Sequence, residues 1–142
     1  MAALNPYITF NGNCEEAFNF YRSAFGGDFA MISRFGDVPS EVQYTLEEAR
    51  KIMHVSLPIG NGTFLFGSDR PASVGNGSMG DNIAISIDTE SEKEADRIFN
   101  GLSAGGKVTM PLAKTFWGAY FGMLTDSFGV HWMVNFDYKQ EK

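Results

Sequence analysis

The chain has 142 residues, 44% of them apolar and 20% charged, with a formal net charge of −6. That length suits one ordinary domain, or two small halves sharing a core. The charge disfavours nucleic acid and anionic membranes, which need a basic face, and no Lys/Arg cluster offsets it. A single cysteine, Cys14, excludes an internal disulfide and fits a reducing cytoplasm. The opening MAALNPYITF lacks a basic segment and a long apolar run. The expectation is therefore a cytoplasmic protein with no signal peptide and no membrane span.

Leu4 to Phe10 is a short apolar run that reads as a strand ended by Asn11-Gly12. Asn13 then caps a helix, with Glu16 at capping-box spacing. Ala17, Phe20, Tyr21, Ala24 and Phe25 form its buried stripe, widened by Phe18, and Gly26-Gly27 ends it. Cys14, at the start of this helix, is either a small filler or a thiol whose pKa the helix dipole lowers. Asp28 to Phe35 reads as a strand and Gly36 to Ser40 as a loop. Thr45 and Glu48 repeat the capping-box spacing ahead of a short helical turn, Leu46 to Arg50.

Lys51 to Pro58 reads as a strand in which Met53, Val55 and Leu57 alternate with Ile52, His54 and Ser56. Asn61-Gly62 is a hairpin turn signal, and Thr63 to Gly67 is the returning strand. Ser68 to Gly80, rich in Gly, Ser and Pro, is the best internal linker. The second half opens with a strand, Asn82 to Asp88, with Ile83, Ile85 and Ile87 on one face. Thr89/Glu92 and Ser91/Glu94 both have capping-box spacing, before a helix striped by Ala95, Ile98, Phe99 and Leu102. Gly105-Gly106 ends that helix. Strands follow near Lys107–Met110, Ala119–Thr125 and Val130–Phe136. The last two are joined by a polar turn, Thr125-Asp126-Ser127-Phe128-Gly129.

One design is thus used twice: strand, capped helix, Gly-Gly, three strands. The helix stripe recurs at a uniform offset of about 78 residues. The expected fold is α+β, with two βαβββ repeats forming a curled mixed sheet with flanking helices around a cleft. Repeats 1–70 and 81–142 make a single domain, 1–142, and the shared cleft is the default ligand site.

This repeat, with FNGNCEEAFNFYRSAFGG near the start and TFWGAYFGMLTDSFGVHWMVNF near the end, resembles the vicinal oxygen chelate superfamily. That group includes glyoxalase I, the bleomycin-resistance proteins and extradiol dioxygenases. KIMHVSL, GSD, FWG and TDSFGVHWMVN make the chain look most like the PhnB-like branch, whose members are often labelled glyoxalase-like or 3-demethylubiquinone-methyltransferase-like.

The resemblance implies a homodimer and a small organic ligand. In the superfamily's metal enzymes, His or Glu ligands lie on the first and last strands of each half. The corresponding positions here fall at about Pro6, near Leu65, at Asp81-Asn82 and at Met133. Proline cannot ligate through its side chain, and methionine is a poor ligand for hard divalent ions. No metal and no cofactor is expected, and no catalytic residue is assigned.

The candidate ligand-binding residues are His54, Ser56, Asp69, Asn82, Trp117 and Met133. If Met53, Val55 and Leu57 contact the helix, His54 and Ser56 face the cleft, and His54 could serve as acid or base. The blander readings favour a structural histidine for His54 and turn caps for Asp69 and Ser68. Asn82 either hydrogen-bonds a ligand or holds a strand start. Trp117, in the Gly-flanked FWG loop, either closes over a ligand or packs on a partner subunit. His131 shares a strand face with Met133 and Asn135. The competing readings are an enzyme with a non-standard metal set, His54 with Asp69 or Asp81, and a non-catalytic dimer.

Overall fold

The computed structural model describes residues 2–39 and 41–140. Ser40, at the end of the expected loop, and the extreme termini lie outside them. The chain divides into two compact units, residues 1–78 and 79–142.

The N-terminal unit runs β1 (Tyr7–Phe10), α1 (Cys14–Phe25), β2 (Met31–Arg34), α2 (Leu46–Arg50), β3 (Ile52–Gly60) and β4 (Thr63–Asp69). Its sheet has the order β1-β4-β3-β2, with β1 parallel to β4 and the other pairs antiparallel. Asn61 (φ 52°) and Gly62 (φ 78°) turn the β3–β4 hairpin in the left-handed conformation that Asn-Gly favours. Strand alternation sends Phe10, Val55, Leu57 and Leu65 toward α1, all essentially buried. The helix answers with Cys14, Ala17, Phe18, Tyr21 and Ala24. Phe20 is only half-buried, so the buried stripe centres on Phe18.

Two local expectations change. Asn13 makes no side-chain cap, and Asp69, arriving from β4, ties down the helix start by accepting the Cys14 N–H at 2.9 Å. The first two strands are shorter than their apolar runs: β1 begins at Tyr7 and β2 at Met31, with the Pro6 carbonyl and the Ala30 N–H bonding the sheet just ahead of them. The Thr45/Glu48 capping box forms as read. Arg34 ties β2 to the start of α1 through a fork on Glu15, at 3.0 and 2.6 Å. Its guanidinium holds the Glu15 carboxyl below the usual carboxylate range.

The C-terminal unit runs β5 (Ile85–Asp88), α3 (Glu92–Ser103), β6 (Lys107–Lys114), β7 (Ala119–Thr125) and β8 (His131–Asp137), in the order β5-β8-β7-β6. This is the same βαβββ arrangement, with β5 parallel to β8. The α3 stripe is as read: Ala95, Ile98, Phe99 and Leu102 are buried. Trp132, Val134 and Phe136 face it from β8. The Ser91 hydroxyl caps α3 by accepting the Glu94 N–H, whereas Thr89 bonds the Ser91 and Asn135 carbonyls and caps nothing.

β5 is shorter than read, and Ile83 is 76% exposed rather than part of the buried face. β6 is longer, continuing through Pro111 to Lys114. The sheet tolerates a proline there because β6 is an edge strand whose pairing with β7 shifts register on both sides of Met110. Each unit is therefore α+β, a four-stranded mixed sheet with its long helix on one face.

Candidate functional site

In the N-terminal sheet the face away from α1 carries Tyr7, His54, Phe64 and Phe66. The His54 ring lies 5.8 Å from Tyr7 and 5.5 Å from Phe66 between centroids, and Phe64 stacks on Phe66 at 5.7 Å with planes 7° apart. Backbone pairing builds this cluster: Tyr7 sits opposite Phe66 on β1 and β4, and Ser56 opposite Phe66 on β3 and β4. Ser56 lies on that face too and is buried. His54 and Ser56 thus share the helix-free face, as their parity predicts. No described residue hydrogen-bonds the His54 imidazole, which has the Tyr7 and Phe66 rings beside it and Ser33 opposite it on β2. The result is a half-buried aromatic platform with one imidazole in it.

Asp69 belongs to the opposite face. It is 2% exposed, with Oδ1 accepting from Cys14 N–H and Oδ2 from Ile52 N–H, each at 2.9 Å. Both oxygens are engaged in joining α1 and β3 to the end of β4. His54 and Asp69 lie on opposite faces of the sheet, so the two side chains do not converge. The Cys14 thiol is fully buried, and burial, reinforced by Asp69 and Glu15, pushes its pKa up rather than down. The filler reading of Cys14 holds over the activated thiol.

In the C-terminal unit, Met133 lies on the helix-free face of β8, opposite Met123. Trp117, 56% exposed in the β6–β7 turn, meets Phe121 edge-on at 6.3 Å and Phe116 at 5.0 Å. Phe121 pairs with Asn135 on the same sheet face as Met133, so Trp117 and Met133 border one surface. Asn82 is exposed in the bend before β5. His131 is held on both nitrogens, Nδ1 by the Thr125 hydroxyl at 2.8 Å and Nε2 by the Gly80 carbonyl at 3.0 Å.

The superfamily's metal does not fit the residues at its positions. Leu65 faces the helix core and is 1% exposed, so the fourth-strand position on the free face is Phe64 or Phe66, neither of which has a donor atom. Pro6 and Met133 are no better for a hard cation. Among the described residues no three His, Cys, Asp or Glu side chains gather as an ion would require.

Sequence reasoning missed Tyr7, Phe64 and Phe66. The signal was the Phe64-Leu65-Phe66 alternation, which puts two rings opposite the core-facing leucine.

The family model described as 3-demethylubiquinone-9 3-methyltransferase matches residues 2–135. The chain belongs to this family, the PhnB-like branch of the vicinal oxygen chelate superfamily. The PhnB-like assignment agrees with its relatives. Protein YjdN of Escherichia coli is 30% identical over 93% of this chain and 93% of its own. The crystal structure of PA1353 from Pseudomonas aeruginosa matches with 41% identity and a TM-score of 0.82, covering 96% of this chain and 98% of that one. A PhnB protein from Bacillus cereus matches with 25% identity and a TM-score of 0.72, over 95% and 99%. A glyoxylase/bleomycin resistance protein/dioxygenase domain from Frankia shares the fold, with 12% identity, a TM-score of 0.69, and coverage of 96% and 98%. The description of the PhnB-like family names a methyltransferase; here it designates the family alone.

Proposed function

We propose that this PhnB-like protein binds a small organic molecule bearing a planar group, with no divalent ion at the superfamily's metal positions. The observation that carries the reading is the ring cluster Tyr7–His54–Phe66–Phe64 on the helix-free face of the N-terminal sheet. Aromatic faces stack planar ligands, and an imidazole among them adds one polar contact that can donate or accept. Ser56 borders the same face, while Asp69 supports it from behind by fixing β4 to α1 and β3. In the C-terminal unit the reading assigns Trp117 and Met133 to ligand contact through the surface around Phe121, and Asn82 through its exposed amide. The two repeats work as one domain, and the protein pairs with a second copy of itself in the cytoplasm. The fully exposed Phe116 ring supports pairing.

A neutral naphthol, followed by its own fluorescence, tests the reading. Phe66→Ala should weaken its binding by about tenfold, the scale of one lost aromatic pair. His54→Ala should weaken it less. Binding unchanged in both variants, or absent in the parent, would count against the platform. Light scattering at micromolar concentration checks the pairing, and a monomeric mass would refute it.

A further inference from the structure

Beyond the C-terminal ends of β1 and β4, the N-terminal unit contains a concave pocket of about 710 Å³. It shares no lining residue with the aromatic platform. That volume lies in the range of small-molecule sites. Arg70, which follows β4, and Lys51, which precedes β3, line it together with Phe35 and Tyr44, whose rings lie 5.6 Å apart.

The two cations have unused donors. Arg70 Nε is buried with no hydrogen-bond partner, and among the described residues no carboxylate lies within ion-pair distance of the guanidinium. Lys51 Nζ donates to the Gly12 carbonyl at 2.9 Å, which leaves two ammonium protons. Glu47 and Glu48 also line the pocket, but neither pairs with Arg70 or Lys51, and Glu48 is engaged in its capping box with Thr45. A buried guanidinium nitrogen with nothing to donate to is costly in a folded protein. A bound oxyanion would instead meet the outer guanidinium nitrogens of Arg70 on the pocket wall, whose fork matches carboxylate and phosphate oxygens two at a time.

The wall is also fixed in place. Asn11 clasps Gly77 from both sides, its Nδ2 donating to the Gly77 carbonyl at 2.7 Å and its Oδ1 accepting the Gly77 N–H at 2.9 Å. The Arg70 guanidinium lies over Gly77, where an added methyl would occupy its place.

We propose that this pocket binds a small organic oxyanion, a carboxylate or phosphate monoester, that carries a planar ring. Arg70 takes the anionic oxygens with Lys51 beside it, and Tyr44 and Phe35 contact the ring.

The test follows the arginine Nε–H resonances of the full chain by NMR during titration with benzoate, phenyl phosphate, inorganic phosphate and benzyl alcohol. A saturable shift of the Arg70 signal with benzoate or phenyl phosphate, and none with benzyl alcohol, is expected; the tighter of the two binders identifies the head group. Arg70→Gln and Gly77→Ala should each reduce affinity by at least about tenfold, as expected for loss of a charge-assisted fork. Gly77→Ala keeps the charge, and the atoms nearest its added methyl belong to the flexible end of Arg70, so it stands if Arg70→Gln fails to fold. Tyr44→Ala should weaken phenyl phosphate and leave inorganic phosphate unchanged. No saturable shift with either ring-bearing anion, or full affinity in Gly77→Ala, would overturn the proposal. So would loss of binding in Phe66→Ala, which would move the anion to the platform; an unchanged Phe66→Ala keeps the two sites separate.

Discussion

Two buried aspartates show how single residues hold this chain. Asp126, 4% exposed, accepts the Phe128 and Val130 N–H groups on Oδ1 at 2.8 and 3.0 Å, and the Trp132 indole N–H on Oδ2 at 2.8 Å. Asp69 accepts two backbone donors from elements distant in sequence. An asparagine offers only one acceptor oxygen and turns an NH2 toward a donor. Asp69→Asn should therefore cost about 1–3 kcal/mol, read as a lower urea midpoint at unchanged slope. Asp126→Ala, which strands several donors, should cost at least as much.

Tyr120 offers a residue-scale test in pH. Its hydroxyl donates to Asp96 at 2.6 Å, and that bond, helped by burial and by the charges of Asp96 and Glu92, pushes its pKa up to about 12. The folded state thus keeps the phenolic proton longer than the unfolded chain. The contribution to stability is complete below the ordinary tyrosine value and is lost as pH rises through about 12. Asp96→Asn should move part of the phenolate absorbance change to lower pH, as Tyr120 returns toward its ordinary range.

At the scale of elements, each long helix packs against its sheet through a glycine. A Cβ at Gly67 on β4 would fall on the Phe18 ring of α1. One at Gly122 on β7 would lie 2.8 Å from the Phe99 ring of α3 and 2.9 Å from the Leu112 backbone nitrogen. Gly122→Ala has no flexible neighbour to displace and should destabilise by about 1–3 kcal/mol in chemical denaturation.

The helices and most strands were legible because periodicity and caps agree there, as in the α3 stripe and the Thr45/Glu48 box. The Asn13 cap failed where a distant group joins the helix start: Asp69, a residue no local window includes, accepts the Cys14 N–H, and the Asn13 side chain caps nothing. The site was only partly legible for the same reason. Parity placed His54 and Ser56 correctly, but the rings around His54 arrive from β1 and β4, and Arg70 meets Gly77 only through a connection that composition marks as linker.

At the scale of the whole molecule, each repeat has its own sheet, its own helix and its own buried residues, with residues 71–83 largely exposed between them. Thermolysin should cut there first, next to Val74, Met79 or Ile83, which are 66, 44 and 76% exposed. A first cut inside β3 or β8, seen by mass spectrometry of the early fragments, would contradict the division. The Asn11–Gly77 clasp should make the Val74 side slower to cut, and Asn11→Ala should speed it.

The chain's two tryptophans occupy opposite environments. Trp132 is 2% exposed with its indole N–H on a carboxylate, while Trp117 is 56% exposed at a turn. Iodide should therefore quench the emission of one and spare the other. The protein carries two intrinsic optical reporters: the shielded indole follows collapse of the C-terminal interior, and the accessible one follows whatever docks at the surface.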